Sequence, residues 1–183
     1  MGIPQTPRTH TTRLGTLGAL HRIPLIDNAI ARSSYRWKTL QPTPEEQWLL
    51  ENVDKWVGEG LIEEIKMTDA VHLTEASAPA KKDAQGNLTL RRLCVNYRQL
   101  NRITEKDTHE MPSAESCYRM RKARFFTKMD LQNGFWQTPL SENDRLKTAF
   151  RIKDRCFQWK LMPMGITNAP ATFQKLIDRT LMA

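Results

Sequence analysis

The stretch Phe125-Phe126-Thr127-Lys128-Met129-Asp130-Leu131-Gln132-Asn133-Gly134-Phe135-Trp136-Gln137 decides how the chain is read. Alternation puts Phe125, Thr127 and Met129 on one face of an extended segment, and Phe126, Lys128 and Asp130 on the other. The pattern breaks at Asn133-Gly134, a turn pair. Asp130 is therefore expected where a strand gives way to a loop, a place where a rigid scaffold can hold a reactive group. A solvated acid at a strand end has the same signature, and taken alone the stretch favours that plainer reading. Its surroundings shift the balance.

Downstream, residues 146–152 alternate Thr148, Phe150 and Ile152 against Lys147, Ala149 and Arg151. Residues 156–161 alternate Phe157, Trp159 and Leu161 against Gln158 and Lys160, and Lys153-Asp154-Arg155 joins the two as a hairpin. Met162-Pro163-Met164-Gly165 reads as a bend. A helix is predicted from Asn168-Ala169-Pro170, with Phe173, Leu176, Ile177, Thr180 and Leu181 at helical spacing. Upstream, 112–120 reads as a short helix with Pro112 near its start, followed by the cations Arg119, Arg121, Lys122 and Arg124.

Further back, Thr43-Pro44-Glu45-Glu46 is a capping box with proline at the first helical position. Leu49, Val53, Trp56 and Val57 recur at helical spacing, and Gly58 and Gly60 end that helix. Residues 71–80 are ambiguous, and Pro79 argues for an edge. A basic step, Lys81-Lys82, leads into the turn Asp83-Ala84-Gln85-Gly86-Asn87, and 88–97 reads as one strand, giving a hairpin with a basic tip. Residues 1–20 read as a flexible leader and 21–27 as a short extended piece. His10 and His21 have no partners at metal-ligand spacing and are assigned to the surface.

At 183 residues the chain is long enough for one domain with a core, and 39% hydrophobic with 26% charged residues excludes a disordered class. Lys+Arg of 28 against Asp+Glu of 20 gives a formal charge of +8, which favours an anionic partner such as nucleic acid. The cysteines Cys94, Cys117 and Cys156 form no CxxC pair, so neither a disulfide framework nor a zinc site is expected. That usage, with no signal peptide and no apolar run of membrane length, implies an intracellular setting, cytoplasmic, nuclear or within a virus-like particle.

Three blocks together resemble a known family. Arg92-Leu93-Cys94-Val95-Asn96-Tyr97-Arg98-Gln99-Leu100-Asn101 is similar to the fingers signature of reverse transcriptases of gypsy-type retrotransposons. Residues 126–135 resemble their first catalytic motif. Lys147-Thr148-Ala149-Phe150, followed by 162–174, resembles the nucleotide-pocket segment and its helix. The resemblance runs from about His21 onward. It implies an α+β chain made of fingers and partial palm of a right-hand polymerase, with an antiparallel sheet and packed helices, residues 21–183 forming that region. The implied activity is RNA-directed DNA synthesis from deoxynucleoside triphosphates on a primed RNA or DNA template, as part of a polyprotein with downstream palm, thumb and ribonuclease H regions.

The chemistry is attack of a primer 3′ hydroxyl on the α-phosphorus of a nucleotide, helped by two Mg²⁺ ions about 3.5–4 Å apart. Mg²⁺ prefers hard oxygen ligands. By the resemblance Asp130 is the catalytic carboxylate and a metal ligand, and the Leu131 carbonyl is a second metal contact. Lys81 and Arg92 match the triphosphate contacts, arginine gripping phosphate as a planar fork; a solvated hairpin is the plainer alternative for both. The amides of Asn133 and Gly134 would approach phosphate, Phe135 would exclude a ribose 2′ hydroxyl, and Met164 would line the nucleotide. Core packing is the alternative for Phe135, and a simple turn for 164–165. Gly165, Arg98 and Asn101 would meet the template, and Arg98 and Asn101 could equally serve within the fingers.

Departures from the family pattern are equally specific. The chain contains no YxDD, the source of the other two metal-binding acids, and Asn96 stands where an acid is usual. Two other readings follow: a catalytically dead nucleic-acid-binding protein, and a remnant without function.

Overall fold

Thr43 opens the first helix as its sequence requires. Its hydroxyl accepts from the Glu46 amide at 3.2 Å while the Glu46 carboxylate accepts from the Thr43 amide at 2.9 Å. This closed box starts α1, Pro44–Gly58, and such caps contribute about 1 kcal/mol. The helix buries Leu49 and Val53, leaves Val57 exposed, and ends at Gly58, with Gly60 at φ +67° turning the chain into the sheet. The computed structural model describes residues 19–26, 43–82, 84–86, 88–109, 123–128 and 130–181. The leader up to residue 18, His10, Cys117 and the helix expected over 112–120 lie outside the described residues.

Five strands form the main sheet: β1 (Ile62–Ile65), β2 (Thr74–Ser77), β5 (Cys94–Val95), β6 (Phe150–Ile152) and β7 (Arg155–Trp159), in the order β1-β7-β6-β2-β5. The expected hairpin joins β6 to β7 through Lys153, in the left-handed region at φ 54°. β1 pairs antiparallel with β7, Ile62 opposite Trp159. β2 pairs parallel with β6, so the sheet is mixed rather than antiparallel as expected. The two strands are far apart in sequence, and no tight turn forces them antiparallel.

Two other expectations need correction. The single strand over 88–97 is broken into β4 (Leu88–Arg91), which pairs with β3 (Ala80–Lys82) in a separate two-stranded sheet, and β5, which pairs with β2. Pro79 lacks an N–H and interrupts the ladder between β2 and β3, so the facing strand divides too. Arg92 therefore sits in the break, not on a strand. The stretch 125–130 is not a strand either: the edges of the main sheet are β1 and β5, and neither pairs with it. Extended backbone with no ladder partner gains nothing over solvent, and Phe125 and Phe126 stand 93% and 71% exposed. Within 146–152 only Phe150–Ile152 is strand. Short helix α3 (Glu142–Arg145) runs into a 3₁₀ turn, Leu146–Thr148, closed by the Thr148 hydroxyl donating to the Arg145 carbonyl at 2.7 Å.

The core gathers Phe150, Phe157 and Trp159 with Leu49 and Val53 of α1 and Tyr97 and Leu100 of α2 (Arg98–Ile103). At its rim the Arg155 guanidinium grips Glu64 at 2.8 and 3.1 Å and Asp54 at 2.9 Å, tying β7 to β1 and α1 and holding the Glu64 carboxyl below the usual range. Helix α4, Ala169–Leu181, forms where expected and buries Leu176. Among the described residues no helix is long and apolar enough to cross a membrane.

His21 is the reverse of the surface residue expected: it is 1% exposed. Its amide donates to Pro139 O at 3.0 Å, its carbonyl accepts from Ser141 N at 2.9 Å, and its Nδ1 lies 2.7 Å from the Thr172 hydroxyl. Next along, the Ile23 amide donates to Asp144 at 3.1 Å, and Lys147, paired with Asp144, donates to the Ile23 carbonyl at 2.8 Å. These partners lie more than a hundred residues away, so nothing local could reveal them.

Burial lowers the His21 pKa to about 4, against the opposing pull of Asp144 and Asp107. Between that value and the ordinary 6.5 the unfolded chain binds the proton and the folded one does not. The stabilisation is thus complete above about pH 6.5 and is lost as pH falls toward 4, amounting to roughly 3 kcal/mol. Denaturant melts at pH 6.5 and 4.5 are expected to show a marked loss for the native chain and a clearly smaller one for His21→Gln.

Candidate active site

Asn133 takes the left-handed conformation, φ 52°, which asparagine tolerates better than most residues. It turns the chain into a single 3₁₀ turn, Gly134–Gln137, closed by Trp136 N donating to Asn133 O at 2.8 Å. A Cβ on Gly134 would lie 2.8 Å from the tip of the Phe173 ring, so this glycine is what lets α4 close onto the loop. Phe135 meets the same ring edge-on, centroids 5.4 Å apart, and Trp136 lies 5.7 Å from Trp159. The plainer reading of Phe135, packing, is thus realised in part, with the ring half-buried. Asp130 and Leu131 precede this anchored turn and are exposed.

A second loop meets the same helix. Gly165, at φ +92°, turns the chain after Met164, which is 49% exposed. Asn101 reaches it from α2: its Nδ2 donates to Gly165 O at 2.8 Å and its Oδ1 accepts from Thr167 N at 2.9 Å. Asn168 answers in the other direction, donating to Glu105 O at 2.7 Å and accepting from Asp107 N at 3.0 Å. Tyr97 completes the junction. Its hydroxyl donates to Thr148 O at 3.1 Å, and burial raises its pKa well above the usual value, keeping it a neutral donor.

The structure therefore brings Gly134 and Phe135 together through Phe173, and Asn101 and Gly165 through a hydrogen bond. Asn101 spends both amide atoms inside the protein, which is the second of the two roles expected for it. Arg92 and Arg98 are exposed, with no side-chain bond among the described residues; the Arg98 amide donates to Asn96 Oδ1 at 3.2 Å. Lys81 lies in β3, but its side chain lies outside the described residues. Lys147 is engaged with Ile23 and Asp144 rather than free for a ligand. Among the described residues no three His, Cys, Asp or Glu side chains could together hold a metal ion. Asp130 alone does not make a Mg²⁺ site, so no chemical step is assigned through metal on this chain.

Two participants escaped the sequence reading. Phe173 registered only as an apolar helix position, and Asn168 only as a helix start. The signal for Phe173 was the glycine: a bare backbone position in an aromatic-rich loop implies a close neighbour.

Residues 80–182 match the family model described as reverse transcriptase (RNA-dependent DNA polymerase), more than half of the chain. The chain belongs to the reverse transcriptase family. It is 40% identical over 112 residues to the genome polyprotein of Petunia vein clearing virus (isolate Shepherd), a match covering 61% of this chain and 5% of that one. It is 36% identical over 91 residues to an RNA-directed DNA polymerase homolog of Oenothera berteroana, 49% of this chain and 64% of the relative. It is 38% identical over 100 residues to the Pol polyprotein from transposon gypsy of Drosophila melanogaster, 54% of this chain and 10% of the relative. This reverse transcriptase chain thus spans a small part of its polyprotein relatives, and the gypsy likeness noted in the motifs is present in full-length comparison. The family generally uses divalent metal ions.

The Gly134–Phe173 contact is testable in this reverse transcriptase chain. Gly134→Ala is expected to cost about 1–3 kcal/mol by overpacking. Adding Phe173→Leu should return part of that loss, giving a double-mutant coupling in denaturant melts. Strict additivity of the two substitutions would break the assigned contact.

Proposed function

We propose that this chain supplies the fingers and part of the palm of an RNA-directed DNA polymerase in a retrotransposon-type polyprotein. The observation that supports it is the meeting of three separate sequence blocks, 97–101, 133–136 and 164–168, around the start of α4. Template and primer lie across Arg98 and the 164–165 turn. Asn101 acts by holding that turn, through Gly165, instead of touching nucleic acid. Lys81, Arg92 and the amides of Asn133 and Gly134 bind the triphosphate of the incoming deoxynucleotide. Phe135, backed by Phe173, bounds the sugar, and Met164 covers the nucleotide.

Asp130 and the Leu131 carbonyl offer ligands to Mg²⁺, of which the complete enzyme uses two to steady the attacking and leaving oxygens. One exposed carboxylate cannot do this against the ion's preference for water. The chain by itself is therefore a binding unit without synthesis, and the lone carboxylate beside free arginines is also what a purely nucleic-acid-binding protein would show.

Two results test the reading, both in a polymerase that joins this chain to a family YxDD segment. Asp130→Asn keeps shape and loses charge, and primer extension should fall to background; undiminished extension would mean that the metal site is elsewhere. Phe135→Ala should raise ribonucleotide incorporation while deoxynucleotide incorporation persists. An unchanged ratio of the two would remove Phe135 from sugar selection.

A further inference from the structure

A cleft of about 520 Å³ opens between the segment starting at Ala19, the loop at 105–107 and one side of α4. Four cations line it, Arg22, Lys106, Lys175 and Arg179, against two acids, Glu105 and Asp107. Lys175 pairs with Asp107 at 2.6 Å and draws its carboxyl below the usual range, so that acid is already neutralised. Arg22, Lys106 and Arg179 are exposed and have no hydrogen-bonded or ionic partner among the described residues. Three unspent cations from three different segments face one cleft.

The cleft is not the surface carrying Phe135. Along α4, Thr172, Lys175, Leu176 and Arg179 face the cleft, whereas Phe173 faces Gly134 and Phe135. At 3.6 residues per turn these two sides lie about a third of a turn apart. Beneath the cleft, His21 holds Thr172 and is kept neutral by burial, so the charge of the site comes from the arginines and lysines.

The lining also limits what can bind. No aromatic side chain is among the lining residues, so there is no platform on which a base could stack. The volume is in the range of ligand-sized pockets, larger than a lone phosphate needs. Forked guanidiniums at two edges suit the oxygens of successive phosphates. We propose that this cleft binds the phosphodiester backbone of a nucleic acid, without regard to base sequence and separately from the Asp130 surface. The assignment does not require a metal at Asp130 or any polymerase activity. An acidic peptide is the competing occupant.

The test is binding of a fluorescent 20-base-pair DNA duplex to the full chain by anisotropy, in EDTA, across a series of salt concentrations. Each phosphate contact contributes about 0.9 to the slope of log affinity against log salt. The triple variant Arg22→Gln, Lys106→Gln, Arg179→Gln should lower that slope by about two to three and weaken binding roughly tenfold or more at moderate salt. Arg92→Gln with Arg98→Gln reports the proposed template and nucleotide surface, and its loss should add to that of the triple variant if the two sites are separate. An unchanged slope in the triple variant overturns the cleft while leaving the Arg92 and Arg98 result intact. Failure of the native chain to bind the duplex overturns it as well. So does poly-glutamate displacing the duplex as effectively as unlabelled DNA of equal charge, which would point to the acidic peptide. If circular dichroism shows the triple variant unfolded, Lys106→Gln alone, on an exposed loop, must lower the slope by about one; no change overturns the proposal.

Discussion

Two asparagine side chains hold the parts of this chain in register. A carboxamide carries a donor and an acceptor side by side, so it can satisfy a carbonyl and an amide of a loop at once. Asn101 does this for Gly165 and Thr167, and Asn168 does it for Glu105 and Asp107. The two loops belong to segments more than sixty residues apart and have no ladder of their own. Backbone groups left unpaired there would each cost about 1–3 kcal/mol where buried. The crossed amides remove that cost and fix the start of α4. Once α4 is fixed, Phe173 can meet Gly134, Thr172 can meet His21, and the cleft acquires its third wall.

What could be read from the sequence was what is decided locally. The capping box at Thr43, the Lys153 hairpin, the Gly165 bend and α4 depend on residues within a few positions of each other, and all formed. The failures share a cause. Residues 125–130 have strand-like alternation, but a strand exists only with a partner, and alternation does not name one. The strand over 88–97 was divided by Pro79 on the facing chain. The parallel pairing of β2 with β6 and the burial of His21 against 139–141 are long-range decisions with no short-range mark.

The candidate site was legible to a similar degree. Gly134, Phe135 and Gly165 sit in turns whose geometry demands those residues. Asn101 was identified as important, with its two possible roles left open, and its hydrogen bonds select the structural one. Phe173 was invisible as a site residue because a phenylalanine on an apolar helix face looks like any other core residue. The free cations were counted correctly as an excess of charge. Which of them are unspent depends on pairings such as Lys175 with Asp107 and Arg155 with Glu64, which only the folded chain displays.

The central claim is that the crossed amides lock the two loops together, and native-state hydrogen exchange tests it most directly. The amides of Thr167 and Asp107 lie outside any helix or strand, yet each donates to an asparagine side chain. Both should exchange well below the rate of unprotected loop amides in the native chain. Asn101→Ala should release Thr167 directly and, by loosening the start of α4, raise the exchange of Asp107 as well. Exchange of both amides at the unprotected rate in the native chain, or release of Thr167 with Asp107 untouched, would contradict the account.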